Sequence, residues 1–140
     1  MDARFRIMRA TVPEPERASR TAAGWDLRAA AYARVEPQDR YCVPTGVGVH
    51  LAPDEVGLVC PRSGLALHHG LTVLNAPGVI DPDYGGEIQV VLQNHNGYPV
   101  DVAAGDRIAQ LLIVPLAAAP TAVPPTAVAR GAAGFGSTGR

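Results

Sequence analysis

Gly46-Val47-Gly48-Val49-His50-Leu51 decides the class of fold. Val47, Val49 and Leu51 alternate with Gly48 and His50, the period of a half-buried strand and not of a helix. Outward from it the same texture recurs. Phe5 to Met8, Val56 to Val59, Glu87 to Gln93 and Arg107 to Val114 are short β-like runs, punctuated by 15 glycines and 13 prolines spread over 140 residues. Many short strands at such spacing predict an all-β sandwich or barrel. One stretch reads as helix: Ser63 is expected to N-cap a two-turn run from Gly64 to His69, closed by Gly70 at C′.

A chain of this length makes one domain with one core. At 47% apolar it is globular and not disordered. No apolar run reaches membrane-spanning length, and Met1 to Arg6 lacks the apolar region of a signal peptide, so a cytoplasmic protein with no membrane partner is expected. A net charge of −1 argues against a large nucleic-acid surface. All twelve basic residues are Arg, so a side-chain cation meeting phosphate is Arg or His. Cys42 and Cys60 have no metal-ligand or redox spacing and read as two buried thiols. From Ala117 to Ala129 the chain is Ala, Pro, Val and Thr, without charge. This divides it into a β domain (1–116), an extended arm (117–129) and a glycine-rich tail (130–140). The arm could reach roughly 40 Å if extended.

Five stretches carry possible chemistry. In the tail, Arg130-Gly-Ala-Ala-Gly-Phe-Gly-Ser-Thr-Gly139, glycines such as Gly136 let backbone N–H groups converge on an anion. Arg130, Ser137 and Thr138 add donors there, and Phe135 adds a face for a base. Pro61-Arg62-Ser63-Gly64 sets an Arg and a Ser before a helix start, where an anion is favoured. Asn75 to Glu87 contains Asp81-Pro-Asp83-Tyr84-Gly-Gly86, turn chemistry expected at a β-hairpin tip, where a carboxylate can activate water. Gly105-Asp-Arg-Ile-Ala-Gln110-Leu111 looks like a buried strand with one inward polar residue, Gln110, in need of a partner. In Ala23-Gly-Trp25-Asp26-Leu27, Asp26 reads as a turn residue and Trp25 as core or interface. Each stretch alone is ordinary turn, cap or strand sequence.

Taken in order, the five resemble the sequence blocks of the trimeric dUTPase (deoxyuridine 5′-triphosphate nucleotidohydrolase) family, from about Phe5 to the end. The resemblance implies a dUTPase-like β-barrel or jelly roll with one short helix and a C-terminal arm exchanged in a homotrimer. It implies hydrolysis of dUTP to dUMP and pyrophosphate by water attack on the α-phosphate, with Mg²⁺. Asp81 would be the general base. Asn75 would meet the uracil edge and Tyr84 would pack under the deoxyribose. Arg62, Ser63, Gly64 and Gln110 would bind the phosphate chain. Arg130, Phe135, Gly136, Ser137 and Thr138 would close over the nucleotide, and Asp26 would organise the metal's water shell. The sequence departs from the pattern at Gly85, where a polar residue is usual, at His68, and at Ala133 in place of Gly, which is expected to stiffen the tail. Two alternatives stand beside this reading. A dCTP deaminase shares the fold, but its catalytic Glu would fall on Val91, which cannot shuttle protons. A non-catalytic nucleotide-binding relative would be expected to have lost Asp81 or the tail.

Overall fold

A computed structural model of the chain describes residues 4–117 and 131–139. Eleven strands run β1 (Phe5–Ile7), β2 (Trp25–Arg28), β3 (Ala33–Val35), β4 (Arg40–Pro44), β5 (Val47–Val49), β6 (Glu55–Cys60), then helix α1 (Ser63–His69), β7 (Leu71–Val73), β8 (Gly78–Ile80), β9 (Gln89–Asn94), β10 (Val100–Val102) and β11 (Arg107–Pro115). They form a four-stranded sheet in the order β2-β11-β6-β8, a three-stranded sheet β4-β9-β7, and the pairs β1-β5 and β10-β3. Among the described residues every ladder between these strands is antiparallel. The all-β, jelly-roll-like expectation holds, with one short helix.

The alternation that predicts strands also builds the core. Leu27, Val43, Leu71, Leu92, Ile108 and Leu111, from β2, β4, β7, β9 and β11, are all but inaccessible, within one cluster shared by the four sheets. Each such side chain contributes roughly 1.5–3 kcal/mol on burial. Two buried polar groups are satisfied within it. The Asn94 amide donates to the carbonyls of Val35 (3.0 Å) and Tyr98 (2.8 Å), and the Thr45 hydroxyl donates to the Ile88 carbonyl (2.6 Å). The latter holds the segment before β9 against the start of β5.

Three local expectations are corrected. Ser63 is the first helical residue. The capping position is Arg62, whose side chain makes no cap, while Gly70 does end the helix in the left-handed region (φ 58°). The turn at Asp81–Tyr84 closes through the Tyr84 N–H to the Asp81 carbonyl (3.0 Å). Yet β8 pairs with β6, and β9 with β4 and β7. The segment therefore crosses from one sheet to another instead of linking two arms of one hairpin. Cys42 is exposed, not buried, and its thiol faces the Gln89 side-chain oxygen at 3.0 Å. Its pKa is pushed up by partial burial. Among the described residues no helix is long and apolar enough to cross a membrane.

Candidate active site

The crossover from β8 to β9 forms one wall of a cavity of about 350 Å³. Asn75, Asp81 and Tyr84 line it together with Ile80, Ile88 and Gln89, and Ala133 to Gly136 of the tail cover it from the other side. An apolar floor with a few polar groups at one edge is how small-ligand sites are commonly built. Tyr84 is fixed at both ends. Its hydroxyl donates to the Glu87 carbonyl (2.8 Å), and its backbone forms a parallel bridge with Gly131. Burial, and then the Glu87 carboxylate, push its pKa up, so the phenol stays a donor through the neutral range. Gly86 makes room for it, since a Cβ there would lie 2.5 Å from the Tyr84 oxygen.

The tail meets the crossover through the Gly85 N–H, which donates to the Gly131 carbonyl. Phe135 lines the cavity while the residue stays 68% exposed. The left-handed backbone in the tail falls on Gly131, Phe135, Gly136 and Gly139 and not on Ala133. Alanine at 133 thus meets no conformational demand for glycine in this arrangement. Ser137 and Thr138 are exposed. Arg130, like most of the arm, lies outside the described residues.

A second group of expected residues gathers elsewhere. Asp26 on β2 accepts from the Arg62 Nε at 3.1 Å and from the Arg107 Nη1 at 3.2 Å. Its side chain is only 13% exposed. The amide nitrogen of Gln110 donates to the Pro61 carbonyl (2.9 Å), the partner its place on β11 demanded, and fixes the segment that carries Arg62. Ser63 and Gly64 are exposed at the helix start. No member of this group lines the first cavity. Arg62 and Arg107 instead border a separate one of about 290 Å³. Among the described residues no cluster of three His, Cys, Asp or Glu stands ready for a metal.

The dUTPase family model matches residues 10–139. The chain belongs to the dUTPase family. Deoxyuridine 5′-triphosphate nucleotidohydrolase of Anaeromyxobacter sp. (strain Fw109-5) is 50% identical over 121 residues, 85% of this chain and 82% of that one. The enzyme of the same name from Corynebacterium glutamicum is 46% identical over 132 residues, 92% and 89% of the two chains. Among solved structures, the dUTPase from Streptococcus mutans superposes with a TM-score of 0.74 at 30% identity, over 80% of this chain and 94% of that one. The dUTPase from phage phi11 of S. aureus gives 0.76 at 25% identity, over 89% and 96%.

Within this dUTPase-family chain, sequence reasoning missed the groups that hold the crossover from behind. The Arg9 guanidinium makes a two-point contact with Glu87 (3.0 and 3.1 Å), and Glu87 also accepts the Gly46 N–H (2.6 Å). Gly85 brings no side chain, but its carbonyl accepts from Arg6 of β1. The available signal was Gly48, since glycine inside a strand marks a close approach. Arg107 was also missed as the second partner of Asp26.

Proposed function

We propose that the chain is a dUTP diphosphatase that hydrolyses dUTP to dUMP and pyrophosphate. The observation that carries this is a dUTPase-family chain whose cavity is lined by Asn75, Asp81 and Tyr84 and covered by the tail. Asn75 reads the uracil edge, and Tyr84 packs under the deoxyribose and leaves no space for a 2′-hydroxyl. Asp81 holds and deprotonates the water that attacks the α-phosphorus, with pyrophosphate as the leaving group. Arg62, Ser63, Gly64 and Gln110 bind the phosphate chain. Arg130, Ser137 and Thr138 close over its outer end while Gly136 and Phe135 cap the cavity, Phe135 on the base. Closure excludes bulk water and fixes the attack geometry. For Mg²⁺, which takes hard oxygen donors and retains waters, Asp26 would act indirectly, through the ion's water shell, with the substrate's own phosphates as the direct ligands. When bound, Mg²⁺ would neutralise phosphate charge.

We propose further that the working unit is a homotrimer. The supporting observation is the separation of the two groups within one chain: the base-and-sugar cavity and the Arg62 cluster do not share a lining. In a ring, one subunit offers its cavity, a second its phosphate residues and a third its tail. The free thiols fit a reducing cytoplasm. A deamination reading finds no support, because Val91 has no titratable group.

Turnover with dUTP, dCTP, dTTP and UTP, followed as phosphate after added pyrophosphatase, tests the proposal. A site that hydrogen-bonds one base edge and excludes a hydroxyl should favour dUTP by about 10⁴-fold. Comparable kcat/KM for dCTP or UTP would overturn it.

A further inference from the structure

Behind the crossover, strand β5 lies between β1 and the segment that precedes β9. On one side β1 pairs with it, with Arg6 opposite Gly48 in the register. On the other, the Ile88 N–H donates to the Val47 carbonyl (2.8 Å). Directly paired residues share a face of the sheet, and a side chain at 48 would block any reach from Arg6 across β5. Glycine removes the block. A Cβ at position 48 would stand 2.8 Å from the Arg6 Nη2 and 3.1 Å from the Gly86 carbonyl oxygen. The guanidinium therefore lies across the bare backbone of Gly48 and donates to the Gly85 carbonyl. On its other flank, Gly85 presents its N–H to the Gly131 carbonyl of the tail, and a Cβ at 85 would already touch Gly131 at 3.4 Å. A glycine with no side chain to anchor it has wide backbone freedom. Here its carbonyl is held from β1 while its amide receives the tail.

We infer that Arg6 is a positioning residue for tail docking: its guanidinium, passing over Gly48, fixes the Gly85 backbone in the orientation that accepts Gly131. The inference rests on the dUTP reading of the cavity and deepens it. Arg6 acts through Gly85 and touches no substrate. The adjacent Arg9–Glu87 contact holds the same segment two residues further on and leaves Arg6 the share that concerns Gly85.

The test is a coupling measurement on the full chain, with a non-hydrolysable imido analogue of dUTP as the ligand. A charged donor at a partly exposed site is worth little over one tenfold factor, so Arg6→Gln should weaken the analogue by about three- to tenfold. Gly48→Ala, which keeps the charge but obstructs its path, should do the same, and Arg6→Lys should recover part of the loss. In a chain that already carries Gly131→Val, which opposes the left-handed backbone there, adding Arg6→Gln should cost less than about twofold more. Melting temperatures report whether each variant folds, and Arg6→Lys carries the comparison if Arg6→Gln does not. Unchanged analogue affinity in Arg6→Gln, or a full penalty persisting beside Gly131→Val, overturns the inference. Failure of the unsubstituted chain to bind the analogue at all would instead count against the dUTP reading, and the inference would fall with it.

Discussion

Gly86 and Tyr84 occupy one space between them. An alanine at 86 would place its methyl group 2.5 Å from the tyrosine oxygen and 2.7 Å from the ring carbon bearing it. Both atoms belong to a ring held at its hydroxyl and its backbone, so the ring has to shift. Displacements of about 1 Å at a reacting site can cost 10²-fold in rate. Gly86→Ala is therefore expected to lower kcat/KM for dUTP by about that factor, read from steady-state kinetics, while the core and melting temperature stay close to those of the parent. A variant with unaltered kcat/KM would separate Tyr84 from substrate positioning. Asp81→Asn addresses the proposed base. The amide keeps the shape of the carboxylate but takes up no proton, so turnover should fall by roughly 10²–10⁴-fold. Analogue binding, measured by calorimetry, should persist. Near-normal kcat would remove Asp81 from that role and leave Asp83 as the next carboxylate to examine.

At the scale of elements, the strands with clear alternation were legible. Val47, Val49, Val59 and Leu111 are all buried, while Gly48 is buried as well, so β5 is covered on both faces and not half-buried as its period suggests. Within β3, β7 and β10 only two apolar residues flank one polar one, too few to fix a period, whereas Leu51 extends the alternation of β5 to a third position. The crossover at Asp81–Tyr84 was legible as a turn, because Asp-Pro-Asp and Gly-Gly state the backbone conformation locally. Which sheet each flanking strand joins depends on partners such as Val59 and Cys42, and no local signal carries that. The site follows the same division. Asn75, Asp81 and Tyr84 are near in sequence and share one cavity, whereas Asp26, Arg62 and Arg107 meet across 36 and 81 residues. The tail belongs to this scale too. Phe135 offers an open face beside the cavity, and its removal should cost about 1–3 kcal/mol of base stacking. Phe135→Ala should raise KM accordingly. With Trp at 135, the indole emission should be quenched by a saturating non-hydrolysable analogue. An unchanged spectrum would contradict closure over the base.

For the whole molecule, the question is which chain's tail covers which cavity. The single chain carries Gly131 and Ala133–Gly136 against its own crossover. In the proposed ring, each neighbour would offer the same Gly85 N–H and Tyr84 face. Two inactive chains decide the matter: Asp81→Asn with an intact tail, and a chain ending at Ala129 with Asp81 intact. With arms exchanged in the proposed homotrimer, co-refolding equal amounts should restore activity at about one quarter of sites, because cavity and tail are then drawn independently. Activity at the background of the separate variants, with mixed trimers verified by native mass spectrometry, would show instead that each tail serves its own chain. The ion pairs of Asp26 bear on the same assembly. Arg62 stands just before α1 and Arg107 at the start of β11, and a carboxylate with little exposure already neutralises part of their charge. A polyphosphate reaching Arg62 therefore does not meet a bare cation. It enters a counter-ion exchange, in which one resident anion gives way to another. Such an exchange changes the local charge by less than a simple association does. Added salt should accordingly weaken nucleotide binding less steeply than a count of the arginines would forecast.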